Sequence, residues 1–513
     1  MGICYYSGMD LEQLRQDVAQ GTVGLDRLVE LIASQQKCIA RQQAQIEQLQ
    51  AQIAELQTRV GKNPTERLGD AYSERAEADR QAKAQGKPKN KPKRQGRITT
   101  AEKIAKAART EQVYPDDCPP DDCNLSHTRV AWRLEDGRAV LVAYEIYRCG
   151  NHFGRPIGVP GRGEFGMEIL VALAYQVYVI GVSLDKACQV LGFFQGLSLT
   201  KSQADSLLNQ LAHQWEAEFD TLCMLLANSA VVHCDETGWS INSVWAFLTE
   251  RLTVMFYGVH QDGETLEQIL DKATFEGVLI SDDAAIYQGF SKAQKCWAHL
   301  IGKAIKLTLQ APEDPTYRHF ADSLLAIYRS AKRVAADKRY SDAGRKRRVG
   351  ELDDELLALC LERWVDETQQ MDGVEGDYRR LVNEIMRLML AEELFVFVTT
   401  AGVDGNNNAS ERELRDDALR RKTGRTTKTP RGARRQTILT SVLRTLSKQL
   451  RRFTLANVIA EVQRWAVCGR SCFTDQANAA KVRRPPNVRR PPAVEQRSLL
   501  HRIILDADAP QPT

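Results

Sequence analysis

The stretch VVHCDETGWSINSVWAFLTERLTVMFYGV, residues 231–259, contains three apolar runs separated by short turns. The runs cover residues 231–235, 244–249 and 252–259, and the turns fall around Asn242 and at residues 250–251. Runs of this length, rich in β-branched and aromatic residues, are typical of neighbouring β-strands. The stretch therefore predicts a three-stranded meander, with Asp235 at the point where the first strand leaves the sheet.

The sequence that follows extends this sheet. We expect a helix over 264–273, a fourth strand over 278–281, and a short strand and helix within 294–307. A meander, a helix and then alternating strands and helices describe a mixed α/β sheet of ribonuclease H type. Residues 308–395 are highly charged with a helical pattern, which predicts a helical insertion within a catalytic domain spanning 229–465. A helix around Glu411 would complete this domain.

Three acidic residues that are far apart in the chain are candidates for one metal site. Asp235 and Asp282 follow short apolar runs, and Glu411 lies in a polar segment with a helical pattern. Hard divalent cations such as Mg²⁺ take oxygen ligands, and two ions about 3.5–4 Å apart can bind both oxygens of an in-line phosphoryl displacement. A nucleic-acid phosphodiester is therefore the leading substrate.

Neighbouring acids leave alternatives to this ligand set. Asp283 competes with Asp282, although adjacent residues on a strand point to opposite faces, so only one of them should face the site. Asp404 is a weaker rival of Glu411. Glu236 is interpreted as a structural or surface acid.

Residues 1–60 form an N-terminal segment with a predicted coiled coil. Branched residues at one seam position and leucine at the other favour a parallel two-stranded coil, so we expect a homodimer. A single amphipathic helix packed on its own domain is the alternative. The seam positions are Leu25, Leu28, Ile32, Gln35, Ile39, Gln42, Ile46, Leu49, Ile53, Leu56 and Val60.

A flexible basic linker over 61–110 is predicted to lead into a small module over 111–160. In this module the pair Cys118 and Cys123 is separated from Cys149 and His152 by a strand-like hairpin over 129–147. Two ligand pairs joined by a hairpin suit a tetrahedral Zn²⁺ ion, so a zinc-ribbon-like module is predicted. The wide first spacing and the histidine as last ligand keep unbound, reduced cysteines as the alternative.

Basic residues are concentrated in three runs, although the net charge is only +4. Residues 86–97, 418–435 and 481–492 contain six, eight and five basic side chains. Such runs are typical of polyanion-binding surfaces, and solvated faces are the alternative. Residues 161–228 have a helical pattern that leaves a helix-turn-helix DNA-binding region open, and residues 466–513 are predicted to be a basic, largely disordered tail.

Composition excludes several classes of protein. An apolar content of 43% is sufficient for globular cores. The sequence has no uninterrupted apolar stretch near the roughly 18 residues that a membrane-spanning helix needs, and its N-terminus has no secretory pattern. Twelve scattered cysteines favour a reducing cytoplasm over a disulfide framework. We find no nucleophile-elbow pattern that would indicate covalent catalysis by serine or cysteine.

Four motifs occurring in order resemble the insertion-sequence-66 family of bacterial DDE transposases. They are DETGW at 235–239, SDDAAIYQGF at 281–290, KCWAHL at 295–300 and NNASERELR at 407–415. The order of a coiled coil, basic linker, Cys-rich module, helical region and split catalytic domain is also similar, so the resemblance covers about residues 25–465. It implies a nucleoid-associated transposase that acts on terminal inverted repeats and target DNA with Mg²⁺ or Mn²⁺, with accessory proteins left open.

The resemblance also implies roles for individual residues. Asp235, Asp282 and Glu411 match the catalytic, metal-binding triad. Residues expected along the DNA path are His299, Asn407, Asn408, Arg412, Arg415, Arg420, Arg421, Lys422 and Arg425. Helix capping is the alternative for the two asparagines, and a solvated helix face is the alternative for the basic residues. A metal-dependent nuclease without strand transfer and a non-catalytic DNA-binding protein are the rival functions.

Overall fold

The computed structural model describes residues 98–161, 163–361 and 372–480. The predicted coiled coil, most of the basic linker and the chain beyond residue 480 lie outside these ranges. The described residues from Thr99 to Ala480 belong to one compact unit. No helix in the described ranges is long and apolar enough to cross a membrane.

A small sheet opens the described chain. Helix α1 (Thr100–Ala105) precedes β1 (Arg109–Val113), β2 (Asn124–Glu135), β3 (Arg138–Cys149) and the short β4 (His152–Phe153). Strand β3 is central, with β2 antiparallel and β1 parallel to it. Asp136 and Gly137 both have positive φ, which a tight two-residue hairpin needs. Helix α1 and strand β1 lie within the predicted 61–110 linker, and both pack onto the hairpin.

Four helices follow the small sheet. They are α2 (Met167–Ala174), which continues into a π-helical turn at Tyr175–Ile180, then α3 (Leu184–Gln195), α4 (Lys201–Gln214) and α5 (Glu216–Ala227). Thr200 and Gln203 form a capping box at the start of α4, so the N-terminal signal in the sequence corresponds to a real helix start.

The central sheet has five strands in the order β7-β6-β5-β8-β9. Strands β5 (Val231–Gly238), β6 (Ser243–Leu248) and β7 (Thr253–Val259) form the predicted meander, and β8 (Val278–Ser281) and β9 (Ala293–Lys295) add to it in parallel. The mixed α/β fold predicted from the sequence is confirmed. Helix α6 (Gly263–Ile269) is shorter than predicted, because Leu270 leaves the helical conformation and Asp271 caps a turn.

The described residues between 297 and 399 are mostly helical and have their own core. Helices α7 (Trp297–Gln310), α8 (Pro315–Ala336), α9 (Asp342–Leu361), α10 (Gly373–Leu390) and the short α11 (Val396–Thr399) make up this segment. Their core meets the sheet through Val278 and Ile280 of β8. The segment that the charge pattern marked as an insertion is thus anchored to the strand that carries Asp282 at its end.

Four helices complete the part of the chain that the structure describes: α12 (Asn408–Lys422), α13 (Pro430–Gln449), α14 (Leu455–Cys468) and α15 (Cys472–Ala479). Phe473 of α15 is fully buried against Trp465 of α14. The prediction of a disordered tail from residue 466 is therefore wrong for residues 466–479, because this aromatic contact anchors the last helix.

The two faces of the central sheet have different partners. One face, which carries Trp245 and Phe256, packs against α2 to α5 and α13. The opposite face, which carries Ala246 and Met255, packs against Leu414 of α12 and the start of α13. Asp235 is paired with Ala246 in the strand register, so it points towards the face covered by α12.

Candidate active site

The parallel pairing of β5 and β8 aligns the first two carboxylates. His233 pairs with Ile280 in this register. Continuing the register by two residues brings Asp235 beside Asp282, just beyond the end of β8. Because side chains alternate along strands, both residues then project from the same face of the sheet.

Glu411 lies in the first turn of α12, and its negative charge acts on Asp235. The N-cap residue of α12, Asn407, is 1% exposed and connects the helix to β5. Its Nδ2 donates to the carbonyl of Cys234 at 2.7 Å, and its Oδ1 lies 3.2 Å from Nδ1 of His233. These bonds fix the helix start against the strand that carries Asp235.

The surroundings of Asp235 disfavour its ionisation. Burial, followed by the negative charges of Glu236, Asp282 and Glu411, raises the pKa of Asp235 to about 7, while a hydrogen bond from the Glu236 amide opposes the shift. Like charges within a few ångströms disfavour ionisation of one another. The raised pKa of Asp235 therefore reflects both its burial and the acidic residues around it.

The neighbouring acids have partners of their own. Glu236 accepts hydrogen bonds from the hydroxyl of Tyr287 and from Nε2 of Gln261, the latter at 3.0 Å. Asp283 forms an ion pair with Arg387 of α10. These contacts leave Asp282, of the two adjacent aspartates, as the one whose charge acts on Asp235.

The remaining rival acid, Asp404, lies at the rim of the site. Its side chain is 71% exposed, and its carboxylate is 3.9 Å from Nε2 of His233.

His299 lies beside Glu411, with Nδ1 3.8 Å from Oε1 of the carboxylate. A hydrogen bond with the Cys296 side chain raises the pKa of His299 to about 9, with the charges of Glu411 and Asp282 adding to the shift and burial opposing it. The imidazole is therefore protonated at neutral pH and adds a positive charge to the carboxylate cluster.

Cys296 is a member of this cluster that sequence reasoning missed. It is 2% exposed, precedes the first residue of α7, and its sulfur accepts a hydrogen bond of 3.1 Å from the Asn407 amide. Cys296, His299 and Glu411 form the one group of potential metal ligands in the described ranges whose ligand atoms all lie within 4.8 Å. The Cys-x-x-His spacing within KCWAHL was the available signal.

Two residues expected along the DNA path are buried instead. Asn407 is used inside the protein, as described above, and its side chain makes no helix-capping bond. Arg420 is 8% exposed and donates to the carbonyls of Tyr178 and Val179 at 3.0 and 2.7 Å. These two predictions of DNA contact are corrected, because both side chains satisfy buried backbone carbonyls.

The other predicted DNA contacts lie at the surface of α12 and the turn after it. Arg421 also donates to the carbonyl of Gly238 at the end of β5, at 3.0 Å, which brings its guanidinium to the strand of Asp235. The exposed residues are Asn408, Arg412, Arg415, Arg421, Lys422 and Arg425.

The predicted zinc ligands are only partly assembled. The pKa of the Cys118 thiol is raised to about 11, first by a hydrogen bond with Cys149, with burial and the charge of Cys123 adding to it. His152 pairs with Cys149 in the strand register. The ligand atoms of these four described residues do not all lie within 4.8 Å of one another. Zinc binding here stays a prediction.

Comparison with protein families matches part of the chain. The family model described as "Transposase IS66 family" matches residues 162–435, slightly more than half of the 513-residue chain. The matched segment includes Asp235, Asp282 and Glu411, and it begins after the small N-terminal sheet. No curated protein matches the chain.

Proposed function

The chain belongs to the IS66 family of transposases, and we propose that it cleaves DNA at transposon ends and joins the freed 3′ ends to target DNA. In this proposal Asp235, Asp282 and Glu411 hold a pair of Mg²⁺ or Mn²⁺ ions. It is supported by the β5–β8 register, which brings Asp235 beside Asp282, and by the charges of Asp282 and Glu411, which contribute to the raised pKa of Asp235. The strand order of the central sheet supports a ribonuclease H-like catalytic domain.

The donor set fits hard divalent cations. All three side chains offer carboxylate oxygens, and their mutual repulsion is relieved by a cation placed between them. When bound, two such ions activate the attacking oxygen and stabilise the leaving oxygen of an in-line displacement.

Other residues position these carboxylates and the DNA. Asn407 fixes the first turn of α12 against β5, so it orients Glu411 without touching the substrate. The protonated His299 offers a hydrogen-bond donor to a phosphate next to Glu411. Each displacement is direct, so no serine or cysteine nucleophile is required.

The exposed basic side chains of α12 and the following turn supply the DNA path. Arginine binds phosphate through a bidentate fork, and several such contacts make affinity depend on salt. The side chains assigned to this path are Arg412, Arg415, Arg421, Lys422 and Arg425. We further propose that the coiled coil over 25–60 pairs two protomers so that two DNA ends are held together.

A strand-transfer assay with labelled transposon-end duplexes tests the proposal. With Mg²⁺ or Mn²⁺ the wild-type protein should cleave and join DNA, and Asp235→Asn should lose at least about a hundredfold in rate, as removal of a group that stabilises transition-state charge typically does. Asp404→Asn is the matched control, because it removes an exposed carboxylate at the rim and should keep most of the activity.

The outcomes separate the rival functions. Cleavage without joining would support a metal-dependent nuclease, and DNA binding without either reaction would support an architectural protein. Full activity of Asp235→Asn would remove Asp235 from the site. Inactivity of Asp404→Asn together with an active Glu411→Gln would move the third ligand to Asp404.

A further inference from the structure

We propose that Cys296, His299 and Glu411 form a second metal site, selective for a thiophilic transition metal such as Zn²⁺, and that its occupation inhibits the enzyme by withdrawing Glu411 from the catalytic carboxylates. The metal-binding part of this inference stands on the geometry of the three residues. The inhibition part rests on the proposed function.

The spacing of the ligand atoms is close to that of a tetrahedral ion. The sulfur, an imidazole nitrogen and a carboxylate oxygen all lie within 4.8 Å of one another, and Nδ1 of His299 is 3.8 Å from Oε1 of Glu411. Zn–S bonds of about 2.3 Å and Zn–N bonds of about 2.0 Å place tetrahedral ligands roughly 3.3–3.7 Å apart. Small side-chain rotations of His299 and Glu411 are therefore sufficient.

The surroundings of the thiol match those of a metal-bound cysteine. The backbone amide of Asn407 already donates to the sulfur at 3.1 Å, the kind of outer hydrogen bond that orients and stabilises a ligating thiolate. Cys296 also lies at the N-terminal end of α7, a 14-residue helix whose dipole favours negative charge there. On metal binding the thiol and the imidazolium each give up a proton to solvent.

Access to the site is from one side. Cys296 is almost fully buried, whereas the side chains of His299 and Glu411 are 45% and 42% exposed. An ion can enter between the two exposed ligands and reach the sulfur behind them. The fourth coordination position then faces solvent and is filled by water.

The ligand types separate this site from the catalytic one. Thiolate and imidazole select Zn²⁺ and similar ions, whereas Mg²⁺ requires oxygen ligands. Glu411 belongs to both sets. A Zn²⁺ ion held by Cys296 and His299 therefore competes for a carboxylate that the Mg²⁺ pair needs.

Cobalt titration of the full-length chain tests binding without any enzymatic readout. The background is Cys118→Ser/Cys123→Ser/Cys149→Ser, which removes the thiols of the N-terminal module. Addition of Co²⁺ should produce a cobalt–thiolate charge-transfer band. Adding Cys296→Ser should abolish the band, and adding His299→Gln should weaken Co²⁺ binding at least about tenfold. Cys468→Ser, at an exposed position, is the matched control and should keep the band.

A band that persists without Cys296, or no band at all in the background variant, overturns the site. A change in melting temperature on adding Co²⁺ gives a second readout, which should be present in the background variant and absent after Cys296→Ser even if that variant is less stable.

The inhibition part is tested by measuring cleavage at constant Mg²⁺ over a series of Zn²⁺ concentrations, relative to cleavage without Zn²⁺. The Zn²⁺ concentration that halves the cleavage rate should be at least about tenfold higher in Cys296→Ser than in the wild-type protein, since a ligand is lost. Equal Zn²⁺ sensitivity of both proteins overturns the inhibition. Absence of any cleavage with Mg²⁺ alone refutes the proposed function and leaves the cobalt result unaffected.

Discussion

At the scale of single residues, Asp235 links the protonation state of the site to its metal affinity. Its pKa is raised to about 7 by burial and by neighbouring carboxylates, so below that pH it holds a proton that a metal ion must displace. Mn²⁺ affinity should therefore be about tenfold weaker at pH 6 than at pH 8, corresponding to one proton released per binding event.

Isothermal titration with Mn²⁺ across this pH range measures the effect. Asp404→Asn should show the same pH dependence as wild type, since its carboxylate is mostly exposed. An affinity that is flat between pH 6 and 8 would show that Asp235 is already ionised when the metal arrives.

The candidate acids of the site could be chosen from the sequence more readily than its other residues. Asp235, Asp282 and Glu411 could be chosen because each stands in a recognisable local context, at a strand end or in a helical polar segment. Asn407 could not be assigned, since its partner carbonyl belongs to Cys234, 173 positions away. Cys296 was missed although His299 follows it by three residues, because the third member of the group, Glu411, comes from a separate element.

At the scale of elements, Asn407 joins α12 to β5 and so decides where Glu411 stands. We expect Asn407→Ala to lower the cleavage rate about 10–100-fold, as loss of an outer hydrogen bond at a metal site commonly does, while duplex DNA affinity changes little. Asn408→Ala is the contrasting variant: Asn408 is exposed and is a predicted DNA contact, so its loss should weaken duplex DNA affinity and change the cleavage rate at saturating DNA little.

Single-turnover cleavage and equilibrium DNA binding, measured on the same preparations, distinguish the two effects. A loss of DNA affinity in Asn407→Ala equal to the loss of rate would instead return Asn407 to the DNA path.

Helix α13 protects the exposed edge of β7 with its own side chains. Thr437, Ser441 and Thr445 accept hydrogen bonds from the amides of Tyr257, Met255 and Thr253 at 3.0, 2.9 and 3.1 Å. These hydroxyls recur every fourth residue, so they lie on one face of the helix. The edge strand is thereby closed to further strand pairing.

This arrangement predicts opposite results for two threonines of α13. Thr437→Val leaves the buried Tyr257 amide unpaired and should reduce the free energy of unfolding by about 1–3 kcal/mol. Thr440 is fully buried, and its hydroxyl oxygen has no partner in the described ranges, so Thr440→Val should be neutral or stabilising. Denaturant unfolding of both variants gives the comparison, and equal destabilisation would contradict the role of the ladder.

Elements defined by local sequence could be predicted, whereas elements that depend on contacts with other parts of the chain could not. Strand β8 has the bounds that its apolar run indicated, because four buried residues flanked by polar ones define a short strand locally. The tail was assigned to disorder from its arginines and prolines, yet Phe473 buries itself against α14. A single aromatic contact of this kind has no pattern in the sequence.

At the scale of the whole molecule, the basic run over 418–435 contains both side chains that stabilise the fold and side chains that face outward, and the sequence alone does not distinguish them. Arg420 binds buried carbonyls and Asp417, Arg434 forms an ion pair with Glu216, and Arg435 binds Asp205. Three of the eight basic residues therefore stabilise the fold. A charge run identifies a basic segment, but only the packing of α12 and α13 decides which side chains face outward.

This division predicts different consequences of removing charge within one run. Lys422→Ala/Arg425→Ala removes two exposed cations and should lower the slope of log affinity against log salt by about 2, with an unchanged melting temperature, because each phosphate contact contributes about 0.9.

Arg420→Ala should instead destabilise the protein by about 3 kcal/mol. It removes the ion pair of the fully buried Asp417 with Arg420 and leaves Arg444, 3.9 Å away, as the remaining cation beside that carboxylate. Anisotropy titrations with duplex DNA at several salt concentrations, together with thermal unfolding, measure both quantities. A lower salt slope in Arg420→Ala with no loss of stability would place that guanidinium on the DNA, against its contacts with Tyr178 and Val179.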